Sequence, residues 1–523
     1  MKIKLLIVCL LLSACGPGRP KEATNQLRFA VSNDPKSFDP HLADDSSTGA
    51  IRDLTAGFLL RTNRLTDEVQ PQLAESFRII DDNRAIAIHM RPSLKFSDGS
   101  PLTAVDVVRT LKGLLANKEA TIGDAFIEGA PQITSFSPLD LEVRYKDFKP
   151  RIDRIFDEIA IVPAAPAKLP ASAGPFFVEK YIPGQFVQLA RNPHYWKSPL
   201  PRLDSIRIDI QGTSQIVLNR FLQGELHLID RPSPEVFAQI AKRMPNAARD
   251  LGPSLDSEFF WFNETTTTKL PAFRHAWYNS ALFRRAISMA VHRDDIARNV
   301  YRGYAHPAAG PESPADKFWF NSALQPLPTD PNAALKLLTA EGFILKDNTL
   351  RDRQGNPVEF SLVTQAGKTV LENTAAIVAE DLRRIGIHVN VVKIDANSLI
   401  ERIQTTFDYE AALWNFNQDP DPLDQLNVWP SSAPIHAWNP KQSSPATIWE
   451  ARIDEIVKIQ TSEPSREARK KAWDEFQKIM AEQQPLIYLV NPDYLCAVSP
   501  LLKGMQPAQI PPQLWWNIEQ ISF

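Results

Sequence analysis

Apolar residues recur at positions 371, 375, 378, 382 and 385, a 4-3-4-3 spacing that puts them on one face of a helix. Gly386 ends that helix, Ile387–Val392 begins a strand, and Phe360–Thr364 ahead of the helix reads as another. Strand, helix and strand in that order are the signature of an alternating α/β fold. Two amphipathic helices follow at Ile448–Gln460 and Arg466–Gln483, before the chain returns through Leu486–Val490. Nearer the N-terminus the period shortens. Ile206–Ile210 alternates apolar and charged residues as a half-buried strand does, and Leu27–Ser32, Leu141–Tyr145 and Glu158–Val162 are further predicted strands. The pattern contains no internal repeat and no low-complexity segment.

Between Pro71 and Val108 the pattern is compact. Arg78–Ile80 and Ala85–Met90 are predicted strands joined by the turn residues Asp81-Asp82-Asn83. Ser97-Asp98-Gly99 is a second turn, where Gly99 can take a positive φ. Thr103, with Asp106 three residues on, sits where a helix cap belongs, ahead of Val107, Val108 and Leu111.

The first residues are expected to stand outside the fold. Lys2 and Lys4 form a basic segment and Leu5–Leu12 an apolar run of signal-peptide length. Eight residues rise only about 12 Å as a helix, short of the ~30 Å hydrocarbon core. Leu12-Ser13-Ala14-Cys15 has the form of a lipobox, so residues 1–14 read as a lipoprotein signal and Cys15 as the acylated residue. A plain secretory signal with an incidental cysteine is the alternative. Residues 15–26 would then be a tether.

Composition narrows the picture. A chain of 523 residues is expected to form two or three domains, and 43% hydrophobic with 23% charged residues is ordinary for a soluble globular protein. The formal charge of −3 becomes −5 without Lys2 and Lys4, which argues against nucleic acid as a partner. Forty-three prolines against 20 glycines suggest stiff surface connections. Once Cys9 and Cys15 are assigned to the leader and the anchor, Cys496 stands alone in an apolar run and reads as a buried small hydrophobe. No serine-hydrolase elbow, zinc-protease helix, phosphate loop or dinucleotide fingerprint is present, and no two of the nine histidines lie within four residues of each other. An enzyme is not expected, nor a cofactor.

Leu73-Ala74-Glu75-Ser76-Phe77, Met90-Arg91, Lys95-Phe96-Ser97-Asp98-Gly99 and Leu102-Thr103-Ala104-Val105-Asp106-Val107 together resemble the signature of the extracytoplasmic solute-binding proteins of family 5, the peptide- and nickel-type binding components of ABC importers. Further segments extend the resemblance over nearly the whole mature chain: Asn33–Pro40, Gly174-Pro175-Phe176-Phe177, Leu189–Trp196, Gly224–Leu228 (with His227 where the family has Asp), Leu282–His292 and Phe407–Pro422. It implies a two-lobed α/β fold of the type II periplasmic-binding-protein (Venus-flytrap) kind with an extra inserted subdomain. Residues 27–57, 173–263 and 488–523 would form the core of lobe I, 58–172 the inserted subdomain and 264–487 lobe II. The implied role is capture of a peptide or peptide-like solute between the lobes and delivery to permease subunits, by a monomer held at the extracytoplasmic face of the bacterial envelope through Cys15. A non-peptide ligand such as a glycoside, an opine-like molecule or a metal chelate is the alternative, and an envelope chaperone or enzyme on the same scaffold a third.

The same resemblance places the ligand site at Phe407–Pro422. In peptide-binding relatives the acidic residue three after the tryptophan pairs with the ligand's α-ammonium, since an ammonium taken from water without a counter-charge is costly. Here that position is Asn417, an amide that can accept hydrogen bonds but cannot cancel a charge. Asp419 or Asp421 could substitute, or could simply serve the Asp-Pro-Asp-Pro turn. Trp414 and Phe416, flanking Asn415, would point to one face of a strand and wall either the cleft or the core. Asn33 and Asp34 are candidate contacts from the opposite lobe, or an ordinary turn before Pro35; His436 is a candidate for a chelate ligand.

Overall fold

The computed structural model describes residues 25–42, 45–117, 119–120, 123–164, 169–265, 270–417 and 420–523. The leader, Cys15 and Asp419 lie outside the described residues, as does most of the tether. β1 (Gln26–Val31) buries Leu27 and Phe29 on one face. α1 (Ser46–Thr55) starts at Asp45, whose carboxylate accepts from the N–H groups of Ser47 and Thr48. β2 (Ala74–Ile80) and β3 (Ala85–Met90) pair antiparallel across Asp81-Asp82-Asn83, all three at positive φ, as short polar residues tolerate. α2 (Ala104–Ala116) carries the expected cap: Asp106 Oδ2 accepts from the Thr103 N–H at 2.8 Å. β4 (Gln132–Ser135) and β5 (Asp140–Arg144) complete a sheet in the order β2-β3-β5-β4, whose core includes Leu73, Phe96, Val107 and Leu111.

Glu158–Val162 is not a strand. It makes one isolated bridge, Ala160 to Phe58, after a single turn of 3₁₀ helix at Arg154–Asp157. Ile159, Ala160 and Ile161 are all buried together, so the apolar run reflects packing on both sides and not a ladder.

β6 (Phe176–Ile182), β7 (Phe186–Arg191) and β8 (Ser205–Ile210) form a second sheet in the order β1-β8-β7-β6, in which β1 runs parallel to β8. β9 (Leu228–Asp230), β10 (Ala248–Pro253) and β11 (Asp256–Phe262) then carry the chain toward the other lobe. There α3 (Ala281–Ala290), β12 (Ala305–Pro307), β13 (Glu359–Gln365), α4 (Thr369–Arg384) and β14 (His388–Ile394) build the predicted α/β alternation. Leu371, Ala375, Val378, Leu382 and Ile385 are all buried, and Gly386 has φ +82°. β15 (Ala411–Asn417), α5 (Ile448–Ser462), α6 (Arg466–Gln483) and β16 (Ile487–Val498) follow.

The large sheet runs β9-β16-β11-β15-β13-β14, with β10 and β12 also paired to β16. β16 belongs to both lobes. Its Ile487, Leu489 and Val490 sit in the core with α3 and α4, while Tyr494, Cys496 and Val498 pack with Leu27 and Phe29. Beside it β10 and β11 make a second crossing through Ser254-Leu255. The crossings are tied together: the Ser254 N–H donates to the Pro492 carbonyl at 2.8 Å and Asn491 Nδ2 to Ser257 Oγ at 2.8 Å. Cys496 is fully buried, and burial pushes its thiol up to about 12.

Candidate functional site

β15 lies between β11 and β13, antiparallel to the first, with Phe259 opposite Trp414 and Ser257 opposite Phe416. Side chains alternate across a sheet, so Ala412, Trp414 and Phe416 share the face that carries Phe259 and Trp261. That face rests on an aromatic cluster with Trp319, Trp429, Trp438 and Trp473, and both Trp414 and Phe416 are half-buried at its edge. Asn415, exposed, points to the opposite face. Its partner across the ladder, Glu258, is fully buried; burial raises its carboxyl to about 7, and Tyr301 donates its hydroxyl to it. The backbone of Asn417 pairs with Asp256, and its side chain lies outside the described part.

Past the end of β15 the two lobes meet through charged groups. Asp421 caps the turn Pro422–Gln425, its Oδ1 accepting from the Leu423 N–H at 3.0 Å. Its Oδ2 lies 2.8 Å from Arg151 Nη1 of the inserted subdomain, which also reaches Asp424 at 3.4 Å. A parallel contact joins Asp67 of the subdomain to Arg466 of α6 at 3.0 Å, with Arg154 on the same carboxylate. Burial alone would raise the Asp67 carboxyl; the Arg154 and Arg466 guanidiniums outweigh it and hold the group below its ordinary range. Behind this junction sit Glu312 and Asp316, pushed by burial and by neighbouring carboxylates up to about 8 and about 7. Glu312 accepts from Trp473 Nε1 at 2.7 Å.

On the facing lobe Asp34 is turned onto its own sheet, accepting from the Tyr181 hydroxyl at 2.8 Å and the Gly184 N–H at 2.9 Å. Asn33 is exposed, and its carbonyl accepts from Ser47 Oγ. His436 is buried against Trp438, with one ring nitrogen 3.3 Å from the Val428 carbonyl and the other 3.1 Å from Gln442 Nε2. These contacts serve the core and leave no nitrogen for a chelate. Among the described residues no group of three or more His, Cys, Asp or Glu is arranged to hold a metal, and no helix is long and apolar enough to cross a membrane. A depression of about 420 Å³ is lined by Pro245, Arg249, Val498 and Met505, and Trp414 is not among its lining residues. Arg249 there donates through Nη1 to the Asn246 and Ala248 carbonyls.

Residues 68–436 match the model of the bacterial extracellular solute-binding proteins, family 5. The chain belongs to that family. Among relatives, the oligopeptide-binding protein AppA of Bacillus subtilis is 23% identical over 99% of this chain and 97% of its own length. A probable ABC transporter-binding protein of Deinococcus radiodurans is 26% identical over 70% of this chain and 68% of its own. The solved structure of the Bacillus subtilis AppA in complex with a nonapeptide superposes with a TM-score of 0.74 at 22% identity, covering 95% of this chain and 98% of that one. NikA of Brucella suis in complex with Fe(III)-EDTA gives 0.82 at 20% identity, covering 95% and 99%. The two-lobed α/β fold is thus that of solute-binding proteins.

Within this family 5 chain, the structure brings Trp414, Phe416 and Asp421 to one edge of the second lobe, and places Asn33 and Asp34 on the other. Asp421 is not a free carboxylate awaiting an ammonium, because its two oxygens are engaged by a backbone N–H and by Arg151. The arginines at the junction escape a reading of the sequence alone, since Arg151 and Asp421 are 270 positions apart. One signal was present: Arg469 falls on the same helical face as Trp473, Phe476 and Met480, all buried, where a solvated cation does not belong.

Proposed function

We propose that this chain is the substrate-binding component of an ABC importer, which takes a peptide or peptide-like solute between its lobes and passes it to permease subunits. It works by binding alone, as a monomer anchored to the extracytoplasmic face of the envelope through acylated Cys15. The supporting observation is the end of β15, which carries two half-buried aromatic side chains to the rim of the second lobe just before the contact between lobes at Asp421. Apolar walls with few polar groups suit a peptide whose backbone supplies most of the hydrogen bonds. Closure follows from tighter binding of solute to the closed arrangement than to the open one.

The commitment of Asp421, together with an amide at position 417, favours a ligand with a blocked or absent α-amine over a free-amine peptide. A glycoside, opine-like molecule or metal chelate satisfies the same condition. Native mass spectrometry of the chain purified without denaturation separates these, because it weighs whatever solute is retained. A retained peptide mass supports the proposal. A sugar, an opine-like compound or a metal chelate replaces the ligand class, and a solute that is converted while bound overturns the receptor role.

A further inference from the structure

Arg469 is the most anomalous charged group in the described structure. Its side chain is 2% exposed, yet Nε and Nη1 make no hydrogen bond, and the nearest carboxylate oxygen, Asp421 Oδ1, is 4.0 Å away. A buried guanidinium with two bare nitrogens is costly, and burial lowers its pKa from the ordinary value despite Asp421. The Trp319 ring, 5.2 Å from the guanidinium carbon, offers a face but no acceptor for its N–H groups. The reason for the missing bonds is visible at Asp421, whose other oxygen is held at 2.8 Å by Arg151 from the opposite lobe.

We propose that Asp421 is a two-position switch between two arginines. With the lobes together it pairs with Arg151, and Arg469 is left unsatisfied. When the inserted subdomain swings away it takes Arg151 with it, and Asp421 turns to Arg469. The remaining gap is small: 4.0 Å needs to shorten by about 1 Å to reach an ordinary charge-assisted hydrogen bond, within the range of a side-chain adjustment. Asp421 and Arg469 both belong to the second lobe, so their pair survives opening, whereas the Arg151 pair cannot. Arg151 is therefore a positioning residue for the closed state and Arg469 for the open one. The carboxylate is neutralised at both ends of the motion, and the cost of the closed arrangement falls on Arg469 alone. The parallel contact at Asp67 differs: it holds Arg466 of the second lobe and Arg154 of its own subdomain at once, so neither arginine waits for it.

Opposite effects from two like-charged residues on one carboxylate are the distinguishing consequence. Small-angle X-ray scattering of the full processed chain without added solute reads the ratio of closed to open molecules, independently of what the ligand is. Arg151→Gln should lower that ratio and Arg469→Gln should raise it, each by about threefold or more. In an Asp421→Asn background made together with Asp424→Asn, where the amide at 421 retains the cap and the longer Arg151 contact is also removed, neither substitution should change it further. Shifts in the same direction, no shift, or shifts that persist in that double background would overturn the switch. Should Arg469→Gln fail to fold, the loss of the Arg151→Gln effect in the double background still decides. Failure of this test leaves the ligand-binding role standing, since no ligand enters it.

Discussion

Trp414 carries the heaviest expectation at the scale of single residues. If its ring walls a filled pocket, Trp414→Ala weakens binding of the co-purified solute by about 2 kcal/mol or more, read by calorimetric titration. An unchanged affinity assigns the ring to the core alone. Asn417→Asp restores a carboxylate where peptide-binding relatives are expected to have one, so it should strengthen binding of free-amine peptides relative to their N-acetylated forms. Equal affinities before and after the change would contradict a role for position 417 in ammonium discrimination. Asp421→Asn should leave that preference as it is, because this carboxylate is already engaged by Arg151 and by the Leu423 N–H.

Elements were legible in the sequence wherever one periodicity governed them. The stripe at 371–385 gave α4, Thr103 and Asp106 the start of α2, and Arg466–Gln483 the full extent of α6. Glu158–Val162 misled because an apolar run buried on all sides looks like a strand whether or not a neighbour pairs with it. Gly386 illustrates a position where backbone geometry excludes alternatives. At φ +82° an added Cβ would lie 2.5 Å from Leu345 Cδ1 and 2.8 Å from the Leu350 backbone nitrogen. Gly386→Ala should therefore cost more than about 1 kcal/mol of unfolding free energy, measured in denaturant. Gly184→Ala, also at positive φ but in open space, should cost less.

For the whole molecule, the family and the two lobes could be read from ordered motifs, whereas the electrostatics of the junction could not. Arg151 meets Asp421, and Asp67 meets Arg466, only because the subdomain and the second lobe are brought face to face, a long-range outcome with no local pattern. The buried acids have a global consequence. Glu312, Asp316 and Glu258 reach about 8, about 7 and about 7 through burial, so in the fold they keep protons that the unfolded chain has already released. Their stabilising contribution is complete below the ordinary carboxylate pKa and is lost as pH rises through these values. Melting temperature should fall between about pH 5 and pH 8 on this account, and Glu312→Gln, which keeps the acceptor for Trp473, should reduce the fall. A parallel curve for the variant would assign the slope elsewhere.

The claim that this chain is a solute receptor rests on capture by closure, and one titration addresses it directly. The solute released from the purified chain is added back to solute-free protein while scattering records the shape and mass spectrometry the solute. The expected result is one solute per chain, recovered unchanged, with a more compact particle at saturation. A solute that is consumed, or one that binds with no compaction, would contradict the account.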